Sequence, residues 1–326
     1  MMDKMKTPDY PFVSVVVPAY NERDHIADCI EALLVQDYPK DRLEIIIVDN
    51  NSTDGMDEVI KRYPVTLLYE RDMQTPAATR NTGIRQAYGE IVALIDGDCK
   101  PRADWVRRIA EPFSDPNVVG AAGHVQLVGR QTALETFQTM TMAIGQSCRN
   151  GLWYVITGNC AYRRDVVMRA GLFQANLYTA EDIELGLRLQ LQNYGAIVGV
   201  EDAVVEHPCQ SDMRGLCNQS RRYGYSEVLL DTMYRNEPRY YKRPHDQVRL
   251  MLSQCRSLLI YVVSFVYRSC KTAVLSLLKR RSWDSDYVAW PLLWFASEGS
   301  NVQGKLRGIW VTRFFTQLPR RPEQPV

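Results

Sequence analysis

From Phe12 onward, short apolar bursts alternate with longer stretches of mixed character. Residues 13–17, 43–48, 65–69 and 91–95 are rich in β-branched side chains and end at turn-forming residues, the pattern of buried strands. Between them, residues 24–36, 56–63 and 76–88 carry helical spacing. The order β-α-β-α-β-α-β predicts an α/β domain with a mostly parallel central sheet. Ligands of such sheets collect outside the carboxyl ends of the strands, so the residues after each strand are where chemistry is expected.

Those residues are polar. The first strand runs into Pro18-Ala19-Tyr20-Asn21-Glu22, the second into Asp49-Asn50-Asn51-Ser52-Thr53-Asp54-Gly55, and the fourth into Asp96-Gly97-Asp98. Any one of these segments, taken singly, is also what a turn or helix cap looks like. Three at the strand ends of one sheet point to a shared polar site. Gly97 permits a sharp turn that brings Asp96 and Asp98 toward one point. Their hard oxygens suit Mg2+ or Mn2+, which commonly use one or two carboxylates and complete their shell with substrate phosphates.

In order along the chain stand VSVVVPAYNE, IIIVDNNSTDG, PAATRNTG, ALIDGDC, ITGNCAYRR, TAEDIELGLRLQ and VVEHP. Together they resemble the family 2 glycosyltransferases, inverting enzymes with the nucleotide-sugar-binding fold called GT-A, over roughly Phe12 to Tyr223. The resemblance implies that Pro18, Ala19, Asn21 and Glu22 line the nucleotide pocket. Asp49 would contact the base or ribose, with Arg80 nearby. The other reading of Arg80 is a helix-surface charge paired with Glu90 or Asp72. Asp96 and Asp98 would serve the donor and its metal, with His207 an additional ligand or a structural histidine. Gly158 and Asn159 resemble the segment beneath the donor sugar, or form a tight turn before a strand at residues 160–162.

Thr179-Ala180-Glu181-Asp182 opens a helix whose apolar face is expected at Ile183, Leu187 and Leu191. Acids also favour helix N-termini for dipole reasons alone. Similarity to the family's ED motif implies that Asp182 is the general base and Glu181 its support. Gln219-Ser220-Arg221-Arg222-Tyr223 resembles the QxxRW motif of polysaccharide synthases, with Tyr223 in place of the Trp. Gln219 and Arg222 would then contact the diphosphate, and a solvated basic face is the plainer alternative.

Charge divides the chain. The total is +1, which gives no electrostatic case for nucleic-acid binding, but the part before Ser211 carries −9 and the remainder +10. The 8 cysteines include no CxxC pair, which removes zinc-ribbon and thioredoxin-like readings. Residues 1–11 form a polar tail without a signal-peptide pattern, so a reducing cytoplasmic location is expected. Residues 12–223 are expected to form the catalytic domain and 224–326 a helical, basic C-terminal region. That region holds four of the 6 Trp, yet its longest uncharged runs are 11 residues, short of the roughly 20 a spanning helix needs. Arg249, Arg256, Arg268, Lys271 and Lys279 fall on one helical arc opposite Leu258, Leu259, Val262, Val266 and Leu277. This pattern fits a helix lying peripherally in the inner membrane interface, with homo-oligomerisation through the same apolar surface as the competitor.

The sequence is therefore expected to encode a metal-dependent transferase using a nucleotide-diphosphate sugar, with UDP-sugars foremost, and a lipid-linked or glycan acceptor in polysaccharide or glycolipid assembly. A catalytically silent nucleotide-sugar-binding scaffold and a sugar nucleotidyltransferase are the alternatives.

Overall fold

The computed structural model describes residues 10–129, 132–141, 147–149, 151–177, 179–240 and 285–314, together with isolated positions between 256 and 269. The chain forms two compact units. One comprises residues 1–126 with 144–207, the other residues 127–143 with 208–326.

The first unit is built on β1 (Val13–Ala19), β2 (Leu43–Asp49), β3 (Thr66–Tyr69) and β4 (Ile91–Leu94), which pair in parallel in the order β3-β2-β1-β4. Helices α1 (Ile26–Leu34), α2 (Met56–Ile60) and α3 (Pro76–Gln86) are the crossovers. Beyond β4 the sheet continues through β9 (Cys160–Arg163), β6 (Val118–Val128), β10 (Ala196–Pro208) and the two-residue β5 (Lys100–Pro101). Strand β9 is antiparallel to both β4 and β6. The hairpin of β7 (Ser147–Arg149) and β8 (Leu152–Tyr154) lies apart from this sheet.

Alternation explains why β1 reads as a continuous apolar run. Val13, Val15 and Val17 enter one core with Ile30, Leu33, Ile45, Ile47 and, from α4 (Trp105–Ala110), Trp105 and Ile109. Val16 enters the other with Ile46, Val48, Val92, Leu94, Ile84 and Tyr162. Side chains two apart share a face, so a strand covered on both faces is apolar throughout. Helix α3 starts with Pro76 after the cap Thr75, whose hydroxyl accepts from Ala78 N at 3.2 Å. It packs closely on the sheet because Gly83 has no side chain. A Cβ there would lie 2.4 Å from Val16 Cγ1.

Helix α6 (Arg164–Arg169) leads through a loop to α7 (Glu181–Leu191). The buried face of α7 matches the expected one only in part, at Leu187, which is buried. Ile183 and Leu191 are only half-buried, while Leu185 and Leu189 enter the second core. The reason is a buried ion pair on the same helix: Arg188 Nε meets Glu184 Oε1 at 2.9 Å and its remaining nitrogens donate to Ala170 O and Leu172 O. Two charges that look like surface residues in the sequence thereby turn inward.

In the second unit, α5 (Ala133–Thr141), α8 (Met213–Tyr234) and a final helix, α9 (Ser285–Phe314), are described. Asp212 caps α8 by accepting from Gly215 N at 2.6 Å. Close approach of α8 and α9 depends on glycine: a Cβ on Gly224 would lie 1.9 Å from Asn301 O, and one on Gly304 1.9 Å from Arg221 O. Phe137 stacks edge-on with Trp294 at 5.2 Å beside Leu216 and Leu293. Except for isolated positions, the proposed amphipathic stretch from Arg249 to Lys279 lies outside the described residues, as do residues 1–9. Among the described residues, no helix is long and apolar enough to cross a membrane.

Candidate active site

The ends of β1 and β2 are stitched together by their own polar residues. Asn21, at φ 55°, accepts from Thr53 N at 2.8 Å and donates its own N–H to Ser52 Oγ at 3.0 Å. Asparagine tolerates this left-handed conformation better than most residues. Arg23 N donates to Asp54 Oδ2 at 2.9 Å, and buried Asp49 accepts from Ser52 N at 3.0 Å. Buried Asn50 donates to the carbonyls of Glu70 and Met73. These bonds give the strand ends of the parallel half a defined shape.

The turn after β4 rests on this platform. A Cβ on Gly97 would lie 3.4 Å from Ala19 Cβ and 3.5 Å from Pro18 O, so the small residue lets the Asp96-Gly97-Asp98 loop press against the end of β1. His207 Nε2, near the end of β10, lies 3.8 Å from Asp98 Oδ2. Asp98, Cys99 and His207 each bring one ligand atom within 4.8 Å of the others. Burial and the nearby carboxylates raise the Cys99 thiol, which donates to Asp98 Oδ1 at 3.5 Å. A protonated thiol is a poor ligand, leaving a carboxylate oxygen and an imidazole nitrogen. That donor set fits Mn2+ or Mg2+ when diphosphate oxygens complete the shell.

Burial and the charges of Asp98 and Asp96 push the Glu22 carboxyl up to about 7. Burial also raises Asp98, while His207 pulls it back down. Acids crowded this way favour a cation in their midst.

A second acid pair faces the first. Ala180 precedes α7 in a left-handed conformation, φ 64°, unusual for a residue with a Cβ. Glu181 and Asp182 then open the helix. Asp182 Oδ1 accepts from Ile183 N at 2.7 Å and Oδ2 from Thr157 N at 3.4 Å. Burial and the neighbouring Glu181 push Asp182 up to about 7, against the pull of Arg80. Perturbed carboxyls of this kind mark general acids and bases.

Arg80 joins the two pairs. Its guanidinium donates to Glu181 Oε1 at 2.8 Å and to Asp96 Oδ1 at 3.0 Å. It is 5% exposed and is not the surface charge that Glu90 or Asp72 would have neutralised. Gly158 lies beside Asp96, since a Cβ there would come within 3.3 Å of Oδ2. Asn159 is fully buried: it accepts from Trp105 Nε1 at 2.8 Å and donates to His124 O and Ala203 O. Its side chain anchors the loop carrying Gly158 to the sheet.

Pro18, Ala19, Asn21, Glu22, Asp49, Arg80, Asp96, Asp98, Gly158, Asn159, Glu181, Asp182 and His207 thus all belong to the first unit. Gln219 and Arg222 lie on α8 of the second, Gln219 buried and Arg222 exposed. The backbone of Thr157, which holds Asp182, was not singled out from the sequence. Its only signal is its place in the ITGN segment.

A family model described as "Glycosyl transferase family 2" matches residues 14–171. The glycosyltransferase AglE of Haloferax volcanii is 34% identical over 214 residues, covering 63% of this chain and 69% of that protein. The chain belongs to the family 2 glycosyltransferases. It is a glycosyltransferase with the GT-A fold. A further family relative, from Methanococcus voltae, is 23% identical over 238 residues, covering 67% of this chain and 74% of its own length; it is named a dolichyl N-acetyl-alpha-D-glucosaminyl phosphate 3-beta-D-2,3-diacetamido-2,3-dideoxy-beta-D-glucuronosyltransferase. Among solved structures, the mannosyltransferase PcManGT of Pyrobaculum calidifontis, in complex with GDP-Man and Mn2+, superposes with a TM-score of 0.61 at 21% identity, over 92% of this chain and 87% of that one. That likeness speaks for the fold.

Proposed function

We propose that this glycosyltransferase moves a single sugar from a nucleotide-diphosphate donor to a hydroxyl of a lipid-linked or glycan acceptor, with inversion at the anomeric carbon. The observation that carries the reading is the Arg80 bridge, which places the Asp96–Asp98 loop and the Glu181–Asp182 helix start in one site. Asp182 accepts the acceptor's proton as its oxygen forms the new bond to the anomeric carbon. The bond to the diphosphate breaks on the opposite side, and the nucleoside diphosphate leaves with the electron pair. Direct displacement of this kind needs one positioned base and one stabilised leaving group.

Asp98 and His207 would hold the divalent cation, which when bound neutralises charge on the departing diphosphate. The strand-end loops around Asn21 and Asp49 offer donors and acceptors for the nucleoside. UDP-sugars are the donor class expected, with GDP-sugars as the comparison, because PcManGT is described with GDP-Man. A lipid-linked acceptor is supported by the dolichyl phosphate in the name of the Methanococcus voltae relative. The protein would work at the cytoplasmic face of a membrane as a peripheral enzyme of polysaccharide or glycolipid assembly.

Calorimetric binding of UDP, GDP and their common sugar conjugates, with and without Mn2+, tests this on the wild type and Asp98→Ala. Mn2+-dependent binding by the wild type, weakened in the variant, is the expected result. Failure of every nucleotide to bind the folded protein would overturn the reading.

A further inference from the structure

Arg80 is a buried cation. It sits on α3, whose buried residues include Ala77, Ala78, Thr79, Asn81 and Gly83, so the helix lies on the sheet by its small residues and carries the guanidinium into the interior. Two of its nitrogens meet carboxylates from separate motifs, and the buried Nε has no hydrogen-bond partner among the described residues. The Phe173 ring lies 6.0 Å from the guanidinium carbon. A buried cation held by two acids ties them together, and Glu181, the more buried of the two, would otherwise be an uncompensated charge in a poorly solvated place.

Within each acid pair the bridge takes one member and leaves the other. Asp96 and Glu181 are paired with Arg80. Asp98 has His207 as its neighbour, and Asp182 is held by backbone N–H groups. We propose that Arg80 is a positioning residue coupling the donor and acceptor sides: it reserves Asp96 and Glu181 as structural anions, so that Asp98 serves the metal and Asp182 the acceptor proton. This rests on the reading of Asp182 as the base.

The charge environment of Asp182 makes the proposal separable from a purely architectural role. Glu181 faces it from its own helix, Arg80 from α3, and Cys160 and Tyr162 from β9. Burial holds Cys160 and Tyr162 protonated well above neutrality. Among the described residues that leaves Glu181 as the negative and Arg80 as the positive neighbour. Loss of Arg80 should make Asp182 harder to ionise, and loss of the Glu181 charge should make it easier. Breaking the same ion pair from its two ends therefore has opposite consequences. A loss of the site's structure alone would shift Asp182 the same way from either end.

The experiment is a carbon-13 NMR titration of side-chain carboxyls in the full-length protein labelled at aspartate, without metal, in the wild type, Arg80→Met, Arg80→Lys and Glu181→Gln. The Asp182 resonance is assigned by its disappearance in Asp182→Asn. We expect the Asp182 midpoint to rise by on the order of one pH unit in Arg80→Met, a tenfold change in proton affinity, and to fall in Glu181→Gln. Arg80→Lys, which keeps the charge, should stay nearer the wild type. Should Arg80→Met fail to fold, the sign of the Glu181→Gln shift and the Arg80→Lys midpoint still decide. Midpoints that do not move, or that move the same way in Arg80→Met and Glu181→Gln, would overturn the coupling role. Transfer that survives Asp182→Asn, with the donor found by calorimetry, would instead overturn the reading of Asp182 as base and leave the charge coupling to stand on the titration.

Discussion

The two acid pairs of the active site are held by the same arginine but differ in surroundings. The Asp96–Asp98 loop sits on a turn, with side chains 33% and 23% exposed and an imidazole close by. The Glu181–Asp182 pair sits at a helix start, with Glu181 side chain 8% exposed and Asp182 fastened by backbone N–H groups. A carboxylate beside a histidine suits a cation that arrives with its substrate. A carboxyl with a raised proton affinity, anchored by backbone N–H groups, suits a base. Asp96, Asp98 and Asp182 are all half-buried, so the pairs differ by their neighbours: an imidazole beside one and backbone donors beside the other.

The largest effect should come from the Glu181–Asp182 pair. Asp182→Asn keeps the shape and one of the two backbone bonds but cannot accept a proton, so transfer should fall by roughly 10²–10⁴-fold with nucleotide binding by calorimetry nearly unchanged. Asp98→Ala should do the reverse in kind, removing Mn2+-dependent nucleotide affinity. His207→Ala should weaken the same affinity less, because the Asp98 carboxylate remains. If both acid variants lose nucleotide binding equally, the division between the pairs fails.

A pH effect comes next. Since Asp182 is raised to about 7, it is protonated below that pH and ionised above it, so the transfer rate should climb through neutrality and level off at higher pH. A rate flat from pH 5 to 8 would remove Asp182 from the base role. The smallest effect is on stability. A carboxyl that holds its proton more tightly in the folded state than the ordinary value of 3.8 costs the fold increasingly as pH rises from that value to about 7, and the cost is then constant. Asp182→Asn has no such cost. Without metal, the Tm difference between this variant and the wild type should move in the variant's favour from pH 4 to pH 8.

Much of this site was legible in the chain itself. The four parallel strands lie where short β-branched runs ended in turn residues; for β1, β2 and β4 the reason is that a strand buried on both faces has little freedom in composition. The Asp96–Asp98 motif was visible after a strand and Glu181–Asp182 at a helix start. The partner of Arg80 was not. Asp72 and Glu90 were nearer in sequence, and the packing of α3 on the sheet, close at Gly83 against Val16, carries Arg80 inward. Glu184 and Arg188 show the same limit: spaced four apart on a helix, they form an ion pair that is buried beside Leu185 and Leu189. Asn159 stood in the expected segment, but its bonds to Trp105, His124 and Ala203 join residues far apart in the chain.

Sequence by itself determined the order of strands and helices, the polar character of the strand ends and the chemical type of each reactive group, since these follow from local spacing and side-chain identity. Tertiary structure decided which charges are neutralised by which. Ion pairing depends on distance and solvation in space, and a cation between residues 96 and 181 is placed there by the packing of a helix on a sheet, which no local pattern records.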